Sequence, residues 1–306
     1  MLIFSINIFF INKMNKKVEI IWDGKIPYYD IVCGIANTLF KLGCNVKATI
    51  TIKPEQWKDD TTYIIIPIIK YLDILINNSP NHLIFYQIEQ QGSDLLTDTY
   101  YTILQNSEIV WNFYPITDNT PKQVKMHKSV SYVPFGYHPS LLSYNPFKCI
   151  NIEQDIDVLF LGSSCERRVK IIEDIKKLGL KVFFGYGFSR DQHILLLKRC
   201  KIYLNIHYYD NNATLETSRI AFALAHSKCI ISEPSCLDIE NKTFESLLII
   251  TNDIPNKCVE YINNNEIREA MEVNLPARFE KICNLETFLI DRVPELYVHR
   301  MDDYIF

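Results

Sequence analysis

The chain has 306 residues, of which 48% are hydrophobic and 22% are charged, and its formal net charge is −4. This balance excludes a disordered chain. The sequence also lacks a long basic block, which argues against nucleic acid as the main partner, because binding a nucleic-acid backbone requires a concentrated basic face. The length indicates about two domains.

The first 16 residues are an apolar N-terminal extension, MLIFSINIFFINKMNK. Its apolar part is too short to span a bilayer, which requires about 20 residues. It also lacks the basic start and the small-residue cleavage site of a secretory signal. We expect a peripherally packed segment, with weak membrane contact as the alternative.

Residues 17–140 alternate short β-branched runs with helical stretches. Strands are predicted at 18–22, 45–50, 61–67, 82–88, 108–111 and 129–136, and helices at 29–43 and near 94–105. Continuous apolar strands that alternate with helices indicate a parallel sheet covered on both faces. This part of the chain therefore predicts a Rossmann-like domain.

Residues 141–155 break the alternation with a proline and a polar stretch, and we interpret them as a linker. A second alternation occupies 156–255. Its strands are predicted at 156–162, 180–184, 201–207, 228–232 and 246–251, and its helices at 166–178, 189–199 and 213–226. The remaining residues, 256–306, are predicted to add C-terminal helices. We predict an α/β fold in which two Rossmann-like parallel-sheet domains face a cleft.

The nine cysteines are scattered, and no two of them form a CxxC pair. An odd, scattered set argues against both a disulfide framework and a structural zinc site. We expect reduced thiols and a cytoplasmic location, in the host cytoplasm if the chain is viral.

The stretch LGSSCERRVK joins the first predicted strand of the second domain to its first helix. Gly162 would let a ligand approach the backbone, and the amides of Ser163 and Ser164 would face an anion at the helix start. Arg167 or Arg168 could fork onto phosphate oxygens. The full GxGxxG fingerprint is absent. A serine N-cap followed by a solvated arginine pair therefore remains the alternative.

A second group of polar residues follows the strand predicted at 201–207. His207 could donate a hydrogen bond to a phosphate or to a developing leaving-group charge. Glu216 could accept two hydrogen bonds from a ribose diol, since an ionised carboxylate is a pure acceptor. The alternative is a satisfied strand-end histidine with a surface ion pair between Glu216 and Arg219, worth about 0.3–0.5 kcal/mol.

In the first domain, two carboxylates follow predicted strands and could act as the base toward an acceptor hydroxyl. Asp23 lies in the loop WDGKIPYYD beside Gly24, and Glu89 lies in YQIEQQG. Loops at the carboxyl ends of parallel strands are where ligands bind in such sheets. Asp23 is the preferred candidate, because Gly24 lets a substrate approach closely, and capping of the turn is the alternative role for Asp23.

Five strings in this order resemble a group of bacterial and large-virus surface-glycan glycosyltransferases of the GT-B fold: YQIEQ, VPFGYHP, DIDVLFLGSSCERR, LNIHYY and ETSRIAFALAHSKCIISE. The resemblance implies that the C-terminal domain holds a nucleotide-sugar donor and the N-terminal domain mainly the acceptor. It implies diphosphate contacts at Gly162, Ser163 and Arg168, with His207 and Tyr208 beside them.

The same resemblance implies that Glu216 and Arg219 lie near the ribose or the phosphate. The chain departs from the family pattern in two places. The E-x7-E pattern of many retaining GT-B enzymes is missing, because the eighth residue after Glu216 is Leu224. Related spore-maturation-type enzymes carry a glutamate three residues after the arginine, where this chain has Phe222.

The expected function is transfer of a sugar from a nucleotide-diphosphate donor to a glycan, a lipid-linked acceptor or a protein. The resemblance implies that no metal and no other cofactor is needed, and no DxD motif lies in a convincing strand-end loop. A nucleotide-sugar epimerase of the same two-domain plan and a catalytically silent module that binds sugar nucleotides or glycans are the alternatives.

Overall fold

The computed structural model describes residues 16–66, 72–90, 92–118, 120–143, 145–148, 150–210 and 213–296. The predicted N-terminal extension, apart from Lys16, lies outside these ranges.

The first domain is built on a six-stranded, fully parallel sheet. Its strands are β1 (Lys17–Ile21), β2 (Asn45–Thr49), β3 (Thr61–Ile65), β4 (Leu83–Gln87), β5 (Ile109–Asn112) and β6 (Val130–Tyr132). Its helices are α1 (Ile26–Lys41), α2 (Leu72–Asn77), α3 (Asp98–Asn106) and α4 (Lys122–Lys125). The strand order is β2-β1-β3-β4-β5-β6. Every residue of β3, β4 and β5 is buried, which explains their continuous apolar runs.

The second domain has a five-stranded parallel sheet with the order β11-β10-β9-β7-β8. Its strands are β7 (Ile156–Leu161), β8 (Val182–Gly185), β9 (Cys200–Asn205), β10 (Cys229–Ser232) and β11 (Ile249–Ile250). The helices between them are α5 (Glu166–Lys177), α6 (Arg190–Arg199), α7 (Thr217–Ala225) and α8 (Asp238–Phe244). The predicted α/β architecture of two parallel-sheet domains is confirmed.

The strand order reverses once in each sheet, between β1 and β3 and between β7 and β9. At such a switch point the connecting loops leave in opposite directions, which opens a crevice at the carboxyl ends of the strands. The two crevices of this chain lie on either side of the cleft between the domains, since residues from both sheets line the same cavities.

The C-terminal helices are α9 (Ile254–Asn263), α10 (Asn265–Glu272), α11 (Leu275–Ile282) and α12 (Leu285–Ile290). The last of them returns to the first domain. Tyr137 donates its amide to the carbonyl of Cys283 (2.6 Å) and accepts from the amide of Leu285 (2.9 Å). The Glu295 carboxylate accepts from the indole of Trp111 at 2.7 Å. Residues 283–295 thus connect the C-terminal helices to the first domain through hydrogen bonds.

Three predicted elements are shorter in the structure, among them the strand predicted at 129–136, which is observed only as β6. The helix predicted at 213–226 begins only at Thr217, because the Leu215 amide donates to the buried carboxylate of Glu240 (2.9 Å) and so holds the preceding residues extended. The strand predicted at 246–251 is reduced to β11, because the amides of Leu247 and Leu248 continue the turn that ends α8. In the described ranges, no helix is long and apolar enough to cross a bilayer.

Candidate functional site

Two adjoining cavities open between the carboxyl ends of the two sheets. The first cavity, of about 410 Å³, is bounded by α1 and the loops after β4 and β5 on one side, and by the loops after β7 and β9 on the other. The second cavity, of about 520 Å³, extends toward the loop after β8. Four residues line both: Ser163, Glu216, Ser218 and Arg219. The cavities therefore meet at the start of α7.

Arg168 projects from the first turn of α5 and is buried, with 2% of its surface exposed. Its Nε and Nη2 donate to the carbonyl of Ile206 (3.0 and 2.7 Å), and its Nη1 donates to the carbonyl of Ser163 (3.0 Å). The guanidinium lies over the rings of Phe160 and Tyr208, at 5.0 and 5.2 Å from their centroids. These contacts fix the orientation of Arg168, and both Arg168 and Tyr208 line the first cavity.

Arg219 approaches the same point from α7. Its Nε donates to the carbonyl of Leu161, and its Nη1 donates to Oδ1 of Asn205, both at 3.0 Å. Within the described part of the chain, neither Arg219 nor Arg168 forms an ion pair with a carboxylate. Burial and the charge of Arg219 lower the pKa of Arg168 to about 10, so Arg168 is still cationic at neutral pH. Two unneutralised guanidinium groups side by side favour an anion.

Because Gly162 has no side chain, these two guanidinium groups can lie close to its backbone. A Cβ at this position would lie 3.1 Å from Nη2 of Arg219, 3.3 Å from Nη1 of Arg168 and 3.0 Å from the ring of Phe160. The optimal separation of non-bonded carbon atoms is about 3.5 Å or more, so any side chain at this position would displace the guanidinium groups. The absence of a side chain at Gly162 is thus part of the geometry of the arginine pair.

The helix start at the β7–α5 turn has no side-chain cap. Cys165 occupies the N-cap position without a side-chain hydrogen bond to the helix, so the alternative of a serine N-cap is not observed. Ser163 lines both cavities, whereas the side chain of Ser164 is exposed and lines neither of them. Uncapped amides at the N-terminus of a twelve-residue helix add partial positive charge next to the arginines.

Arg167 is occupied by partners within its own domain. It forms a two-pronged ion pair with Glu233 and a second ion pair from Nε to Asp210 (2.6 Å). Its Nη1 also donates to the carbonyl of His207 at 3.2 Å. Arg167 does not line either cavity. Of the two adjacent arginines, the structure therefore turns only Arg168 toward the cleft.

His207 lies beneath the loop after β9 and does not line the cavities. Its amide donates to Glu233 (2.8 Å), and its Nε2 donates to the carbonyl of Pro234 (2.9 Å). Nδ1 is buried without a partner in the described residues. Burial lowers the pKa of His207, which favours a neutral ring with its proton on Nε2. His207 is therefore held beneath the loop by Glu233 and Pro234, with one ring nitrogen left without a partner among the described residues.

Glu216 is the N-cap residue of α7 and lines both cavities. Its Oε1 accepts from Nε2 of Gln90 at 2.6 Å, a contact that joins the two domains across the cleft. The described ion pairs of the chain do not include one between Glu216 and Arg219, so the ion-pair alternative is not observed. Among the described residues, the second carboxylate oxygen of Glu216 has no hydrogen-bond donor, so it can accept from a ligand.

Glu89 follows β4 and faces the first cavity from the first domain. Its Oε2 accepts from the hydroxyl of Ser93 at 2.9 Å. Burial raises the pKa of Glu89, and the neighbouring Glu216 raises it further, while the Ser93 hydrogen bond opposes both effects. A half-buried carboxylate with a raised pKa beside a cavity is suited to accept a proton.

Asp23 has a different environment. Its side chain is only 6% exposed and forms an ion pair with Nζ of Lys25 at 2.9 Å. Its Oδ1 also accepts from the backbone amide of Lys25 at 2.9 Å. Gly24 and Lys25 line the second cavity, but Asp23 lines neither. The geometry is that of a carboxylate that closes a turn.

Several cavity residues were not singled out from the sequence. In the first cavity they are Tyr28, Gln90, Ser93, Asp94, Tyr114 and Tyr209. In the second they are Tyr186, Phe188, His193 and Tyr203. Tyr28, Gln90 and Tyr209 lie inside the strings WDGKIPYYD, YQIEQ and LNIHYY, so proximity to a quoted motif is the one signal that could have found them. In the described part of the chain, no cluster of three or more His, Cys, Asp or Glu side chains could hold a metal ion.

Comparison with solved structures identifies the architecture. HepE from Anabaena, in complex with UDP, has a TM-score of 0.58 at 11% identity, over 92% of this chain and 99% of that one. Sucrose-phosphate synthase from Thermosynechococcus elongatus has a TM-score of 0.54 at 12% identity, over 90% and 97%. The fold is GT-B. The pneumococcal O-GlcNAc transferase GtfA, in complex with UDP and GlcNAc, is a further GT-B neighbour, with a TM-score of 0.53 at 11% identity over 80% of this chain and 58% of that one.

Sequence comparison adds a viral context to the GT-B fold. The chain is 33% identical to uncharacterized protein L138 of Acanthamoeba polyphaga mimivirus over 143 residues, which is 44% of this chain and 16% of that protein. It is 27% identical to uncharacterized protein R358 of the same virus over 161 residues, which is 50% of this chain and 55% of that protein. The chain thus spans only part of either relative. No protein-family model matches it.

Proposed function

We propose that the chain is a glycosyltransferase that takes its sugar from a nucleotide-diphosphate donor and needs no metal ion. The observation that carries the proposal is the pair of cationic side chains, Arg168 and Arg219, which converge beside Gly162 without a carboxylate partner in the described residues. They lie next to the uncapped start of α5. Fixed donors of this kind stabilise the negative charge that a departing diphosphate develops.

The donor would span both cavities, with its diphosphate at their junction. The second cavity offers the rings of Tyr186 and Phe188, which are not buried, to a nucleoside. Glu216 lies on the wall shared by the two cavities, where its free oxygen could accept from a ribose hydroxyl. The transferred sugar would then enter the first cavity, next to Glu89.

Glu89 is the residue we propose as the base. It faces the first cavity and its pKa is raised, whereas Asp23 is held by Lys25 outside both cavities. Glu89 would take the proton of the acceptor hydroxyl as that oxygen bonds to the anomeric carbon. The bond from the anomeric carbon to the donor phosphate breaks, and Arg168 and Arg219 receive the charge of the leaving diphosphate.

The acceptor class of this reaction is a glycan, a lipid-linked sugar or a protein side chain. We place the reaction in a reducing compartment, the host cytoplasm, because the eight described cysteines are unpaired and five of them are buried. The mimivirus origin of the two relatives supports a viral context, and the surface-glycan role is proposed from the motif resemblance alone. His207 would act only indirectly, by supporting the loop whose carbonyls hold Arg168.

Turnover with a panel of nucleotide sugars tests the proposal. Release of nucleoside diphosphate together with a glycosylated product supports the transferase, and the Glu89→Gln variant should lose this activity. Interconversion of donor sugars without transfer would instead establish an epimerase. Saturable binding of the donor without any product would establish a catalytically silent module.

A further inference from the structure

The charges of the first cavity are divided between its two walls. Its cationic side chains, Arg168 and Arg219, both belong to the second domain, whose wall also carries the carboxylate of Glu216. The wall formed by the first domain carries two acidic side chains, Glu89 and Asp94, and no described lysine, arginine or histidine. Lys25 is the nearest cation that influences Glu89, but it lines the second cavity and is paired with Asp23.

This division constrains what can bind beside the donor. Once a diphosphate occupies the arginine pair, no cationic side chain of the first cavity is left for a second anion. An acceptor that carries phosphate, sulfate or carboxylate near its reacting hydroxyl would face Glu89 and Asp94. Juxtaposed like charges are strongly unfavourable in a partly desolvated site.

The remaining lining is suited to an uncharged sugar. The rings of Tyr28, Tyr114, Tyr208 and Tyr209 provide flat apolar faces together with hydroxyl groups. Glu89 uses only Oε2 in its described hydrogen bonds, so Oε1 can accept from a sugar hydroxyl. The exposed carboxylate of Asp94 can accept from a second one. Aromatic faces and free carboxylate oxygens recognise the C–H face and the hydroxyl groups of a sugar ring.

We infer that the acceptor of this chain is a carbohydrate whose reacting end is uncharged, and that the first-domain wall of the first cavity rejects phosphorylated, sulfated and carboxylated acceptors. The inference rests on the proposed function, because it takes the arginine pair to be filled by the donor. The uncharged sugar could be a free oligosaccharide or the end of a glycan carried by a peptide or lipid.

A glycan array tests the inference. The full chain is applied to neutral, sialylated, sulfated and phosphorylated glycans, each charged glycan next to its neutral parent, with and without a saturating nucleoside diphosphate. Binding of UDP, GDP, dTDP and CDP is measured separately. We expect the bound glycans to end in uncharged residues and a terminal phosphate to weaken binding at least about tenfold. Free oligosaccharides, glycopeptides and glycolipids with the same terminal sugar then compete in solution, which distinguishes the three sources.

Preferential binding of charged glycans would overturn the inference, and so would the absence of glycan binding by a protein that binds a nucleoside diphosphate. Failure to bind any nucleoside diphosphate would instead contradict the proposed function. The array without nucleotide would still report on glycan binding at the first-domain wall of the first cavity. The Asp94→Lys variant should raise the affinity for phosphorylated glycans relative to their neutral parents. The matched Asp98→Lys variant, four residues along at an exposed position outside the cavity, should leave this ratio unchanged.

Discussion

Replacing Gly162 with alanine should weaken diphosphate binding by disturbing the guanidinium groups of Arg168 and Arg219. The added methyl group would lie 3.1 Å from Arg219 Nη2 and 3.3 Å from Arg168 Nη1. Both distances are a few tenths of an ångström below ordinary contact. Because backbone carbonyls hold both guanidinium groups, they cannot retreat freely. Loss of one charge-assisted hydrogen bond costs about 1.5–3 kcal/mol, equivalent to an increase in Kd of about 10- to 150-fold.

Isothermal titration with the tightest-binding nucleoside diphosphate and with its parent nucleoside measures this effect. The Gly162→Ala variant should lose affinity for the diphosphate and keep its affinity for the nucleoside. Ser164→Ala is the matched control, because Ser164 lies in the same turn with an exposed side chain, and its Kd should change less than about twofold. Equal losses for both ligands, or no loss for either, would refute the account of the arginine pair.

Three further predictions follow from the same geometry. Glu89→Gln should lower kcat by about 10²–10⁴-fold with donor affinity nearly unchanged. Because burial raises the pKa of Glu89, the wild-type kcat should decline on the acid side at a pH above the ordinary glutamate pKa of 4.5, and the variant should lose this decline. An unchanged pH profile would remove Glu89 from catalysis. Glu216→Gln should reduce the preference for ribonucleotides over 2′,3′-dideoxynucleotides in a binding titration, and an unchanged preference would place the ribose elsewhere. Burial lowers the pKa of His138 to about 4, so the free energy of unfolding is at its full value above about pH 6.5 and decreases as the pH falls toward 4. In urea titrations, the free energy of unfolding of the His138→Gln variant should decrease less over this pH range than that of the wild type. Equal decreases would exclude His138 as the cause.

The two sheets were predictable because strands that are buried on both faces appear in the sequence as continuous apolar runs. β3 and β4 have no exposed residue, and their short runs rich in β-branched and aromatic residues favour buried strands. Helix starts were less predictable when a distant side chain decided them. The segment before α7 stays extended because of Glu240, a residue that follows it by more than twenty positions.

The site was predictable as a region but not residue by residue. Arg167 and Arg168 are adjacent, and which one faces the cleft depends on where α5 begins, a point that no side-chain cap marks in the sequence. The contact between Gln90 and Glu216 joins residues 126 positions apart, and no local pattern can reveal such a pair. Asp23 and Glu89 occupy equivalent places after strands, and only the structure shows that Glu89 lines the first cavity while Asp23 pairs with Lys25 outside both cavities.

The central claim is that Arg168 and Arg219 form a diphosphate site that needs no metal ion. Titrating the wild-type chain in EDTA with UDP, GDP, dTDP and CDP, and with the four parent nucleosides, tests it most directly. Two charge-assisted hydrogen bonds predict that at least one diphosphate binds about 10²-fold or more tightly than its nucleoside, and that Arg168→Ala removes most of this difference. Equal affinities for diphosphates and nucleosides, or an Arg168→Ala variant that weakens both alike, would contradict the claim.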